Sequence, residues 1–400
     1  MSTRRRTNQG LTGIGLVIIV IYAIYKFFYS QGGTSSPPVI SPASPLPGPT
    51  TAMPATGNQP ADTGQNLDWL KVYFTNPNPP DQINSGIDQY VVPVVADAQK
   101  TIDVTSFDLN LPSFVNALVA AAQRGVQVRV VYDGTNGSQK LSATLSPTGQ
   151  AFDAIQTMKG AGIPLVNGGR SSGLMHDKII IVDGKILFMG SWNMSHDDTF
   201  RNNNNLLEIT DLGLIANYQA KFNELFEDHR FGKKAQVGAL SPQLNINGTQ
   251  VFNYFSPVDQ VMDKLVALVN GAQKSIRFMI FTFTDQDLAN AMISRYQAGV
   301  DVTGVIENRG ASQGSLVPLA CAKIPVKVDG NKYTMHHKVI VIDDSIVVTG
   351  SFNFTNSADT ENDDNVIVIY NPMVAQQYLD EFNRVNSIAK DPNPSEIKCP

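Results

Sequence analysis

One pattern, His-x-Lys-x4-Asp-x6-Gly-Ser-x-Asn, occurs twice in this 400-residue chain with identical internal spacing. The first copy is His176, Lys178, Asp183, Gly190, Ser191, Asn193; the second is His336, Lys338, Asp343, Gly350, Ser351, Asn353. Each member of the second copy follows its counterpart by 160 residues. Six specified positions do not recur at fixed spacing by chance, so the chain must fold as two equivalent halves. The duplication extends upstream. Ala98-Gln-Lys-Thr-Ile102 matches Ala272-Gln-Lys-Ser-Ile276, Phe107 matches Phe281, and Gly125-Val126 matches Gly299-Val300. The offset there is 174, so the first repeat carries 14 extra residues between Asp133 and His176.

Each repeat alternates β-branched runs with helical spacing. Residues 101–109 and 275–283 read as strands, 113–124 and 286–298 as helices ending before Gly125 and Gly299, and 126–132 and 300–306 as strands again. After each motif histidine, two apolar runs flank a short turn at residues 183–185 and 343–345. The expected class is α/β: two similar lobes of mixed sheet flanked by helices, related by a pseudo-twofold with the site at their interface.

Side chains two apart on a strand share a face, so His176 and Lys178 point together, as do His336 and Lys338. One lobe supplies one imidazole and one ammonium, too few for displacement at phosphorus. Two lobes supply both. One imidazole can attack while the other protonates the departing oxygen. Ser191, Asn193, Ser351 and Asn353 offer short donors for anionic oxygens. Asp183 and Asp343 fall at turns, where local hydrogen bonding outranks direct chemistry, although they complete the catalytic motif. The other histidines (His196, His229, His337) read as local polar residues, and Arg170, Arg201 and Arg309 as solvated. No spacing of histidine and carboxylate resembles a closed metal site, so neither metal nor cofactor is expected.

The N-terminus carries Arg4, Arg5 and Arg6 before a nearly uncharged apolar run, residues 11–29. As a helix, 19 residues reach roughly 28 Å, close to a bilayer's hydrocarbon thickness. The expectation is a signal anchor with a cytoplasmic end at residues 1–10 and the rest extracytoplasmic, at the cell surface or in the periplasm; a cleaved signal peptide is the alternative. Residues 30–66 form a linker rich in Pro, Ser and Thr. Lobe boundaries are expected at 67–235 and 236–392, with a tail at 393–400. Cys321 and Cys399 could pair, but two cysteines do not establish it.

The twin motif resembles the signature of the phospholipase D superfamily, over about residues 68–385. The resemblance implies a phosphohistidine intermediate, with His176 as nucleophile and His336 as general acid, then base. It implies phosphate contacts from Lys178, Lys338, Asn193 and Asn353. Members similar to small bacterial nucleases carry an acidic residue 28 positions after the motif histidine. Asp364 stands there in the second repeat, but Asn204 in the first. Pairing within each lobe would keep His336 protonated beside Asp364 and leave His176 neutral.

A formal charge of −5 argues mildly against a basic surface for gripping long nucleic acid. Phospholipid headgroup esters are therefore the favoured substrate. Single-stranded nucleic acid is the alternative, since Gly350-Ser-Phe-Asn-Phe-Thr355 resembles the nuclease branch. Cardiolipin synthesis and a non-catalytic binding role rank lower. A monomer suffices, since both repeats lie in one chain.

Overall fold

The computed structural model describes residues 67–77, 79–83 and 86–399. The apolar run at 11–29 and the linker to residue 66 lie outside the described residues. Among the described residues, no helix is long and apolar enough to cross a membrane.

The first half holds β1 (Leu70–Phe74), α1 (Asp88–Ala96), β2 (Thr101–Ser106), α2 (Pro112–Gln123), β3 (Gln127–Tyr132), β4 (Lys140–Leu141), β5 (Phe152–Asp153), α3 (Ala154–Gly160), β6 (Leu165–Asn167), β7 (Ile179–Val182), β8 (Ile186–Gly190), α4 (His196–Phe200), β9 (Asn205–Ile209) and α5 (Leu212–Phe226). The second holds β10 (Gln243–Ile246), β11 (Thr249–Ser256), α6 (Val261–Asn270), β12 (Ser275–Ile280), α7 (Gln286–Gln297), β13 (Asp301–Ile306), α8 (Leu316–Cys321), β14 (Val326–Val328), β15 (Lys338–Ile342), β16 (Ile346–Gly350), α9 (Asn356–Thr360), β17 (Asp364–Tyr370) and α10 (Pro372–Ile388).

Two mixed sheets result. One runs β1-β9-β8-β7-β2-β3-β6 and the other β10-β11-β17-β16-β15-β12-β13-β14. Apart from the added edge strand β10, the orders are equivalent position by position. In both, the strand before the motif pairs in parallel with its successor and antiparallel with the motif strand, as β2 with β3 and β7. The extra length in the first repeat includes the small hairpin β4–β5, which has no counterpart in the second.

The motif strands read Ile-Ile-Ile-Val and Lys-Val-Ile-Val-Ile, buried on both faces. Alternation divides them between cores. Ile179, Ile181, Val339 and Val341 join a central cluster that also takes Tyr218 and Phe222 of α5 and Tyr378 and Phe382 of α10. Ile180 and Val182 face an outer cluster in the first half, Ile340 and Ile342 an outer cluster in the second. The central core therefore belongs to both repeats, and each such side chain contributes roughly 1.5–3 kcal/mol on burial.

Two turns and one covalent link complete the frame. Asp183 and Asp343 adopt left-handed backbone, with φ 54° and 52°, just past the motif strands. The tail is fastened by a bond between Cys321 and Cys399, which settles the pairing the sequence left open.

Candidate functional site

His176 and His336 sit on extended backbone just before β7 and β15, where each repeat reaches across to the other. The amide of His176 donates to the Asp363 carbonyl at 2.9 Å, and that of His336 to the Asn203 carbonyl at 2.9 Å. In return the Asp363 amide donates to Leu174 and the Asn203 amide to Thr334, each at 2.8 Å. These reciprocal bridges bring the two motifs to one junction. Asp133 and Glu307, at equivalent positions after β3 and β13, accept the amides of Met175 (3.1 Å) and Met335 (2.7 Å) and fix the entry of each motif segment.

The imidazoles are held from opposite repeats. His176 Nδ1 bonds Asp364 Oδ1 at 2.7 Å, and His336 Nδ1 bonds Asn204 Oδ1 at 2.9 Å. The expectation of pairing within each lobe is thus corrected. The carboxylate belongs to His176 and the amide to His336, because Asn204, just before β9, and Asp364, opening β17, are presented across the junction rather than back toward their own motif. Neither Nε2 makes a hydrogen bond among the described residues. Burial pushes the His176 imidazole below its ordinary range, with Asp364 opposing. Burial again, then Lys338, Lys178, His176 and His337, hold His336 well below it. The carboxylate expected beside His336 thus stands beside His176.

Lys178 and Lys338 are each 1% exposed. Lys178 Nζ donates to the His176 carbonyl at 2.6 Å and Lys338 Nζ to the His336 carbonyl at 2.8 Å. Neither forms an ion pair among the described residues. Burial lowers both ammonium groups, and Lys338, which also feels Lys178, is lowered strongly. Phe107 lies edge-on to His176 and beneath Lys178, as Phe281 does for His336 and Lys338. The imidazoles themselves are 4% and 7% exposed, so each ring is almost wholly enclosed.

The Gly-Ser-x-Asn segments serve the junction differently from expectation. Gly190 and Gly350 have φ 151° and 150°, and a Cβ there would meet the Asn205 or Asn365 carbonyl at 2.4 or 2.2 Å. Ser191 Oγ donates to Asn204 Oδ1 at 2.9 Å, and Ser351 Oγ to Asp364 Oδ1 at 2.6 Å. Both hydroxyl protons are therefore spent on the groups that hold the imidazoles, not on an incoming anion. Asn193 Nδ2 donates to Asp198 Oδ2 at 2.7 Å, while Asn353 Oδ1 is buried without a partner among the described residues.

Asp183 and Asp343 stand apart from this cluster, at the far ends of β7 and β15. Asp183 accepts the amides of Gln99, Lys100 and Thr101, and Asp343 those of Gln273, Lys274 and Ser275. They tie a turn to the preceding strand, and membership of a catalytic set is corrected to that role. Arg170 is not solvated either: it pairs with Asp363 at 2.9 Å and donates to the Leu174 and Glu361 carbonyls. His337 is fully buried and bonds Glu381 at 2.8 Å. A carboxylate beside His336 that sequence reasoning passed over is Asp198. Its Oδ2 lies 3.5 Å from His336 Nδ1, and the signal was the acidic pair Asp197-Asp198 where the second repeat has Ser357-Ala358.

The sequence family described as "Cardiolipin synthase, PLD-like domain" matches residues 91–226 and 265–386, covering both motifs. The chain belongs to the phospholipase D superfamily. Among superfamily relatives, "Phospholipase D" of Rickettsia prowazekii is 30% identical over 174 residues, 43% of this chain and 84% of that one. "Mitochondrial cardiolipin hydrolase" of Xenopus tropicalis is 33% identical over 129 residues, 32% of this chain. The match spans 61% of the frog protein, less than two thirds of its length. A solved phosphatidylserine synthase of Haemophilus influenzae shares the superfamily fold, with a TM-score of 0.62 over 84% of this chain and 90% of that one at 12% identity.

Proposed function

We propose that this protein is a phosphodiesterase that hydrolyses phospholipid headgroup esters through a phosphohistidine intermediate. The observation that carries the reading is the convergence, at one cross-repeat junction, of two imidazoles and two buried lysines that, among the described residues, have no Nε2 hydrogen bond and no ion-pair partner. An anionic phosphodiester is the ligand class that such a group of basic side chains favours.

Asp364 accepts the Nδ1 proton of His176, which leaves the Nε2 lone pair to attack phosphorus. As the P–N bond forms and the P–O bond breaks, the ring gains positive charge that Asp364 offsets. The departing oxygen takes a proton from His336 Nε2. Water then attacks phosphorus and gives a proton to His336, the P–N bond breaks, and His176 is regenerated. His336 must be protonated at the start, although burial and the lysines disfavour it. The substrate's own negative charge offsets the lysines on arrival and so raises His336 when it is needed.

The extracytoplasmic, membrane-tethered placement also belongs to this proposal. It is supported by the apolar run at 11–29 and by the disulfide, which suits an oxidising compartment. The names of the Rickettsia and Xenopus relatives support a lipid substrate.

The test incubates the full chain in detergent with phosphatidylcholine, cardiolipin and single-stranded DNA in parallel, beside His176→Asn. Headgroup release from lipid by the parent, and none by the variant, is the expected result. Cleavage of DNA alone would transfer the assignment to nucleic acid, and equal turnover by His176→Asn would remove the mechanism.

A further inference from the structure

The two halves treat their histidines unequally, and the inequality is matched residue for residue. In the second repeat Asp364 accepts from Ser351 Oγ, from Asn362 Nδ2 at 3.3 Å and from His176 Nδ1. One residue thus both orients the ring and supplies the negative charge. At the equivalent place in the first repeat, Asn204 takes the serine and the histidine, but it is an amide. Its Nδ2 donates to the Asp198 carbonyl at 3.1 Å, which fixes its oxygen toward His336. Asn202, the equivalent of Asn362, has turned to a different acceptor: its Nδ2 donates to Asp198 Oδ1 at 2.6 Å. Asp198 Oδ2 accepts from the Asn193 amide at 2.9 Å and faces His336 Nδ1 at 3.5 Å. The residue equivalent to Asp198 in the second repeat is Ala358.

From this exchange we infer that Asp198 is a positioning residue for His336, supplying from the short helix α4 the negative charge that Asp364 supplies directly to His176. Orientation and charge, combined in one side chain on one side, are divided between Asn204 and Asp198 on the other. At 3.5 Å the contact is electrostatic rather than a hydrogen bond, which the ring proton already gives to Asn204. A carboxylate at this range stabilises imidazolium. It is set against Lys338, Lys178, His176 and His337, all of which disfavour charge on His336. Asp108 interacts with both Asp198 and Lys178, and burial pushes its own carboxyl up to about 7. Three donated hydrogen bonds keep the Asp198 carboxylate in place although it is only 3% exposed.

The inference rests on His336 being the general acid of the proposed reaction, so its test keeps the two apart. The variants are Asp198→Asn, the double change Asp198→Ala with Asn204→Asp (which copies the second repeat), and His336→Asn. Imidazole titration followed by NMR needs no turnover, with the His336 signal assigned by its loss in His336→Asn. Asp198→Asn is expected to lower that titration by about one pH unit, and the double change to restore it. With whichever natural phosphodiester the parent hydrolyses, Asp198→Asn should lower turnover about tenfold or more and move the alkaline limb of the pH profile downward. The nitrophenolate burst from bis(p-nitrophenyl) phosphate should fall far less, because that leaving group departs without a proton.

An unmoved titration and pH limb in Asp198→Asn would overturn the inference, as would equal loss with both substrates. Should Asp198→Asn fail to fold, the double change decides: a folded protein with the parent's limb supports the inference, and one without it refutes it. Parent-like turnover by His336→Asn would instead refute the reaction scheme while the titration still reported on Asp198.

Discussion

Asp177, between His176 and Lys178, shows what burial at this junction costs. Its Oδ1 accepts from Asn365 Nδ2 at 2.6 Å, while its Oδ2 is buried with no partner among the described residues. Burial, aided by Asp364 and Asp363, pushes the carboxyl up to about 7 against the bond from Asn365. A carboxyl raised in the folded state contributes stability below its unfolded pKa, near 4, and loses it as pH rises through about 7. Asp177→Asn keeps the accepted bond and removes the charge. It should therefore stabilise the protein by about 1–3 kcal/mol at pH 8 and by little near pH 4, as thermal melts across that range would show. The meeting of His176, Lys178, His336 and Lys338 at one junction was legible because the repeat singles them out. Their partners were not. Spacing along a strand says which side chains share a face, but not which strand of the other half that face meets. Asp198 was legible only by laying one repeat over the other and noticing a carboxylate opposite Ala358.

The motif aspartates act on whole strands. Asp183 joins the turn after β7 to the start of β2 by accepting three successive amides, and Asp343 does the same for β15 and β12. Asp183 is held below the usual carboxylate range: burial pushes it up, but the amides of Gln99, Thr101 and Lys100 outweigh that. Asp183→Ala should cost about 2 kcal/mol of stability in urea titration while leaving kcat per folded molecule within about twofold of the parent. The β-branched runs and Gly125 and Gly299, with φ 94° and 93°, made the repeated strands and helices readable. The hairpin β4–β5 was not, since two-residue strands have no period to detect. The hairpin β10–β11 carried a usable signal, Asn247-Gly248, both left-handed at φ 47° and 81°.

The two halves share a core instead of touching across a wet seam, which is why two lobes were legible but their fusion was not: inner and outer faces of β7 and β15 are equally apolar. The tail, by contrast, is bound at the edge, through Cys399 to α8 and through the pairing of Lys390 with Val328 on β14. Cys399→Ser should lower stability by about 2–4 kcal/mol without altering turnover at 25 °C, measured by melting and initial rates on the same sample. The crossed custody of the imidazoles has a different consequence. A lesion at Asn204 or Asp198 lies in the sequence of the first repeat, yet its victim is a histidine of the second; damage at Asp364 strikes the first. Neither copy can therefore drift, be transplanted or be redesigned as an independent module, because each is the guardian of its sibling's reagent.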